Sequence, residues 1–164
     1  MYEEIVFHSH TRGDVNFEDM VREIVYFIKK EPERRYKVII GTDSEAGYFT
    51  SLVTAVTIVR VGNGAIYFWT RRKKQKFSSR YDRNRIWAEA ISSITLGQAI
   101  RSRLKEVLAD EFFWDANDIH VDIGNKGRTR ELVEGISGMI KGYDFVPVIK
   151  PYSFVASIVA DRHT

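Results

Sequence analysis

The chain contains no cysteine. That excludes disulfides and thiolate metal sites, and the expected compartment is the cytoplasm. It also lacks any apolar run of about 18 residues, so no membrane-spanning helix is expected. The opening Met1-Tyr2-Glu3-Glu4 is acidic and has no apolar signal segment behind it. Internal repeats and low-complexity linkers are absent, and 164 residues suffice for one domain with a real core. A Walker A loop is missing as well: Gly124-Asn125-Lys126-Gly127-Arg128-Thr129 lacks the Gly-Lys-Ser/Thr order. What remains is a soluble globular composition, 44% hydrophobic and 29% charged. Its net charge is only +3. The positive residues are nevertheless clustered, which matters more than the sum.

The stretch Lys37-Val38-Ile39-Ile40-Gly41-Thr42-Asp43-Ser44-Glu45 is the most informative. Its β-branched run reads as a buried strand. Open α/β sheets place ligands at the rim where such strands exit, and Asp43 sits at that exit. An Asp there is expensive to desolvate, so a metal ion, a basic residue or solvent is expected to neutralise it. The alternative is a simple Asp-Ser turn.

Before this strand, Asn16 reads as the N-cap of an amphipathic helix carrying Phe17, Val21, Ile24, Val25 and Ile28. That helix is expected to end near Lys30, ahead of Pro32. Residues 1–15 give little periodicity. Their His8 and His10 form a His-x-His pair with no third ligand nearby, and a structured loop is the expectation. After the strand, Thr50 to Val61 and Ala65 to Thr70 read as two more strands, joined at Gly62-Asn63-Gly64 by a hairpin turn. The short connections make the three strands an antiparallel meander.

A basic segment follows: Arg71, Arg72, Lys73, Lys74, Lys76, Arg80, Arg83 and Arg85, eight positive charges in fifteen residues. Such a field seeks anions, and the interleaved Phe77 and Tyr81 are of the type that stacks on bases. A solvated loop is the plain alternative. A long helix is expected from about Asp82 to Leu108, with Ile86, Ala90, Ile94, Ile100, Leu104 and Val107 as its stripe. Glu89 falls on that stripe, in line with Ser93 and Gly97. It is either an inward functional carboxylate or an N-terminal Glu favoured by the helix dipole. Ile119 to Ile123 alternates as a fourth strand with Asp122 near its exit. The turn after it offers Lys126 and Arg128 to a phosphate, and a helix is expected from roughly Thr129 to Lys141. Phe145 to Ile149 reads as a fifth strand. A last helix from Phe154 to Ala160 leads to Asp161 and His163.

The order of elements and the four acids Asp43, Glu89, Asp122 and Asp161 resemble the ribonuclease H-like superfamily. The phrases Ile-Gly-Thr-Asp-Ser-Glu, His-Val-Asp-Ile-Gly and Ala-Asp-Arg-His-Thr, with the Phe-His-Ser-x-Thr opening, are similar to its bacterial YkuK-like family. The resemblance covers nearly the whole chain. It implies an α/β fold, a five-stranded mixed sheet of three antiparallel then two parallel strands, flanked by helices, with an extra N-terminal helix. It further implies that the four acids hold two divalent cations, Mg²⁺ or Mn²⁺, with Asp43 bridging and Asp161 the weakest ligand. Such a pair hydrolyses phosphodiesters in RNA or DNA. His163 is then a candidate auxiliary for proton transfer or product departure. Glu45 is an added acid beside Asp43, and no dedicated hybrid-binding module is visible. The competing expectation is a non-catalytic nucleic-acid-binding or assembly module on the same fold. An actin-like ATPase relation, suggested by Gly-Thr-Asp-Ser, is opposed by the chain length, since those proteins need two such domains.

Overall fold

A computed structural model of the chain describes residues 5–45, 47–78, 83–109, 117–127 and 129–155. The expectations on Arg80, Tyr81, Arg128, the last helix beyond Val155, Asp161 and His163 fall outside them. The organising strand is β3, Tyr36–Asp43, which follows β1 (Phe7–Ser9), β2 (Gly13–Val15) and α1 (Phe17–Lys29). Then come β4 (Phe49–Thr50), β5 (Val53–Arg60), β6 (Ala65–Arg71), β7 (Gln75–Lys76) and α2 (Arg83–Leu108). The chain continues through β8 (Asn117–His120), a 3-10 turn (Arg130–Leu132), α3 (Val133–Gly142) and β9 (Val146–Val148).

The main sheet runs β2-β1-β6-β5-β3-β8-β9. β3 is antiparallel to β5 and β5 to β6, while β8 is parallel to β3 and β9 to β8. Three antiparallel strands followed by two parallel ones are therefore present as expected. The sheet has seven strands rather than five, because residues 7–15 form a hairpin against β6 instead of a loop. In it His8 Nδ1 meets Asp14 Oδ1 at 2.5 Å and its ring lies 4.2 Å from Trp69. The His10 ring lies 5.8 Å from Tyr67, so both imidazoles serve hairpin packing. Strands of three residues are too short to show alternation, which is why the sequence hides them.

Local chemistry explains the longer elements. Asn16 caps α1, its side chain accepting from Asp19 N at 2.8 Å, and Met20, Val21, Ile24 and Ile28 are buried beneath it. The β5–β6 hairpin turns on Gly62 and Gly64, both at positive φ, where a Cβ would be strained. α2 buries small and polar residues together with its apolar ones: Glu89, Ser92, Ser93 and Gly97 beside Ala90, Ile94, Ile100 and Leu104. A Cβ on Gly97 would lie 2.8 Å from the Phe145 ring and 3.0 Å from Ile40 Cδ1, so the helix is seated at a distance only glycine permits.

Most of the core lies on the α1–α2 side of the sheet, where Val38 and Ile40 meet Ile24, Ile94, Ile100 and Ile136. The other face carries a smaller cluster of Ile39, Val53, Ala55 and Val155. Because strand side chains alternate, Thr42 belongs to the helix side and Asp43 to the other. No helix among the described residues is long and apolar enough to cross a membrane.

Candidate active site

Register fixes where the acids fall. Gly41 pairs with His120 in the parallel β3–β8 ladder, so two residues on, Asp43 is level with Asp122. Both residues thus lie just past the end of the ladder, on one rim, and both carboxylates act on Glu89. Glu89 reaches the same rim from α2. A buried ladder of hydroxyls sets its position: Thr42 Oγ1 lies 2.7 Å from Ser93 Oγ and 2.9 Å from Thr54 Oγ1, which in turn lies 2.9 Å from Ser92 Oγ. Ser93 Oγ donates to the Glu89 carbonyl at 3.1 Å. Ser44 Oγ donates to Glu89 Oε1 at 2.6 Å. Small residues let the helix approach, and their hydroxyls satisfy each other in the gap.

Glu89 is only 6% exposed. Burial chiefly, and the negative charges of Asp43 and Asp122, push its carboxyl up to about 8, against the pull of Ser44 and Arg85. Without a counter-charge, Glu89 is a neutral acid at neutral pH. Asp122 has a partial counter-charge: Lys150 Nζ lies 2.8 Å from its Oδ1. That contact is electrostatic rather than an aligned hydrogen bond, since the same buried oxygen has no hydrogen-bond partner. Arg85, read from sequence as part of the basic segment, turns inward. Its Nη1 donates to the carbonyls of Ser44 at 3.2 Å and Glu45 at 2.9 Å, and its Nε is buried without a partner.

This donor set suits a hard divalent cation: carboxylate oxygens, one of them met only by a half-exposed lysine and one driven to neutrality chiefly by burial. Among the described residues, however, no three of His, Asp and Glu already stand close enough together to hold a metal ion. Glu45 is exposed and stands outside the Ser44–Glu89 contact.

The basic residues are sorted by the same register. Asp43 pairs with Val53, and Val53 with Arg71, so the basic segment begins two strands from Asp43 on the acid rim. Arg71, Arg72, Lys73 and Lys74, with Ile5, His8 and Gln75, line an open groove of about 670 Å³ there. Lys76 continues on the exposed side of β7. Arg83 is tied to Glu131 at 2.5 Å. Lys126 is exposed on the loop that leaves β8 beyond Asp122. Phe77, expected as a stacking ring, is buried at 7% exposure.

Sequence reading missed Ser44 as the partner of Glu89, Lys150 as the partner of Asp122, and His120. The His120 ring is buried, and Val155 N donates to its Nδ1 at 3.2 Å, tying the chain after β9 to β8. Burial, then the charge of Lys37, lowers its pKa to about 4, so the ring is neutral. The Ser44 role had a signal, since a hydroxyl next to a rim Asp faces the helix by alternation. The Lys150 role had none, because it depends on β9 pairing with β8.

A mixed sheet of this order, with carboxylates where its central parallel pair exits and a third on the crossing helix, defines a ribonuclease H-like protein. The chain belongs to that family: the family model described as Ribonuclease H-like matches residues 19–164. It is similar to "Uncharacterized protein YkuK" of Bacillus subtilis (strain 168), 29% identical over 174 residues that cover 100% of this chain and 99% of the relative. No solved structure gives a significant match.

Proposed function

We propose that the protein is a divalent-metal-dependent phosphodiesterase acting on RNA or DNA. The observation that carries this reading is a buried Glu89 held in the field of Asp43 and Asp122, with a basic groove two strands away at the same end of the sheet. Family membership supports it. Asp43, Glu89 and Asp122 are the proposed ligands, with Asp161 as the fourth and His163 as an auxiliary group. Mg²⁺ or Mn²⁺, two ions in the reading favoured here, would supply an activated water and a stabilised leaving oxygen. The chain's own contributions are distinct. Ser44 orients Glu89, Arg85 holds the backbone beyond Asp43, and Arg71, Arg72, Lys73, Lys74, Lys76 and Lys126, with Arg80 and Arg128, attract the phosphates.

The test is calorimetric titration with Mn²⁺ of wild type and Asp43→Asn, followed by a cleavage screen on labelled RNA and DNA. Binding that disappears in the variant, with cleavage that requires Mg²⁺ or Mn²⁺, is the expected result. Absence of metal binding even with nucleic acid present would overturn it.

A second reading is a nucleic-acid-binding module without turnover. The Lys150–Asp122 contact favours it, because a lysine already neutralises one proposed ligand. It predicts salt-dependent binding and no metal-dependent cleavage.

A further inference from the structure

We propose that the outer face of the β4–β7 ribbon is a stacking platform for an unpaired base, so that the substrate is a single-stranded region of nucleic acid. The proposal rests on the nucleic-acid reading above and narrows it. The ribbon forms a separate two-stranded sheet, with Phe49 opposite Lys76 and Thr50 opposite Gln75. It prolongs β5 and β6 past the rim that carries Asp43. Arg72 N donates to Leu52 O at 2.9 Å and Phe77 N to Tyr48 O at 2.8 Å, which fixes the ribbon at both ends.

Alternation divides its residues. Thr50 and Phe77 are buried and Gln75 half-buried, so one side is turned inward. Directly opposed residues share a face, which puts Phe49 and Lys76 together on the outer side, with Lys74 two positions before Lys76. Phe49 is 63% exposed, and Tyr48 beside it is 60% exposed. Lys76 Nζ stands 6.0 Å from the centre of the Phe49 ring. An exposed ring with the Lys76 ammonium beside it and Lys74 near in sequence is a poor seat for an apolar protein surface, because desolvating the lysines costs more than the ring returns. It is a good seat for a nucleotide, which offers a flat base to the ring and a phosphate to each lysine. A duplex hides its base faces within the stack, so the ring selects unpaired residues. The basic groove of Arg71–Lys74 opens beside the ribbon at the end of β6, two strands from Asp43.

The test is fluorescence anisotropy on the full chain with a chelator present, using a labelled oligothymidylate, a labelled oligouridylate and a labelled blunt duplex. For Phe49→Ala, single-strand affinity is expected to fall about 10-fold while duplex affinity stays within about twofold. The salt slope should not change, because it counts phosphates rather than rings. Phe49→Trp should restore binding. In Lys74→Gln/Lys76→Gln the single-strand slope should drop by about 1.4, the value for two phosphate contacts. Single-strand binding by Phe49→Ala equal to wild type, or an equal loss on duplex, overturns the platform and leaves the nucleic-acid reading standing. Wild type that binds no probe overturns both.

Discussion

The two ends of β3 handle buried charge in opposite ways. At its start, Tyr36 pairs with Arg60, whose guanidinium is buried and fully engaged. Nη1 meets Glu31 Oε1 at 2.8 Å, Nη2 donates to the Phe27 carbonyl at 2.7 Å, and Nε donates to the Tyr36 hydroxyl at 3.0 Å. The Phe27 ring lies 4.2 Å below. At the other end, Glu89 is equally buried but lies in the field of two further carboxylates, Asp43 and Asp122, offset only in part by Arg85 and by the half-exposed Lys150 against Asp122. Compensated charge at one rim stabilises the fold. Incompletely compensated charge at the other is a cost that folding alone does not explain, and such costs gather where function resides.

Breaking the compensated end should have the largest effect. Arg60→Ala removes one partner of a buried pair and a ring contact, and should destabilise by about 3 kcal/mol in urea unfolding. Below the transition, Mn²⁺ affinity should be unchanged, since Arg60 lies at the far rim. A variant that unfolds like wild type would show that this node is ornamental.

The other end should respond with the opposite sign. The carboxyl of Glu89 is raised from 4.5 to about 8, so between those values the folded state holds a proton that the unfolded state has lost. Its contribution is fully present below pH 4.5 and is lost as pH rises through 8. In metal-free protein, Glu89→Gln should therefore be the more stable form at and above pH 8, by a margin that grows as pH rises from 4.5 to 8. The two proteins should converge toward pH 4.5. Parallel stability curves over that range would show that Glu89 is not a strained acid. Gly97→Ala tests the seat of the same helix. The added methyl meets Phe145 and Ile40 at 2.8 and 3.0 Å, and overpacking of this kind costs about 1–3 kcal/mol. Because α2 carries Glu89, Mn²⁺ affinity should fall with it.

The uneven legibility of the chain has physical causes. Strand β3 was legible because the apolar run Val38-Ile39-Ile40 leads to Asp43, and Glu89 because the 3.6-residue period puts it among Ile86, Ala90 and Ile94. The Gly62–Gly64 turn was legible through its glycines. Strands β1, β2, β4 and β7 were not, since two or three residues carry no period and their stability comes from a partner strand. The same limit misplaced the aromatic platform. Phe77 lies within the basic run in sequence, yet the ribbon buries it and exposes Phe49 from the facing strand. Arg85 was counted with the basic field because composition does not tell an outward guanidinium from one that holds a backbone turn.

The smallest effect concerns Lys150. Its side chain is 54% exposed, and a bridge so placed adds about 0–1 kcal/mol, so Lys150→Met should leave unfolding almost unchanged. Metal binding should be more sensitive, because the lysine and a divalent cation compete for the same Asp122 oxygen. Two unit charges about 4 Å apart in a watery setting interact by about 1 kcal/mol, and the ion carries two, so removing the lysine charge is worth about 2 kcal/mol, or about a 30-fold gain in Mn²⁺ affinity. The gain should shrink as salt rises and the screening length falls. A loss of affinity instead would mean that Lys150 orients Asp122 for the ion. In that case the rim is organised by its lysine, as the far rim is by Arg60, and the two ends of β3 differ less than their charges suggest.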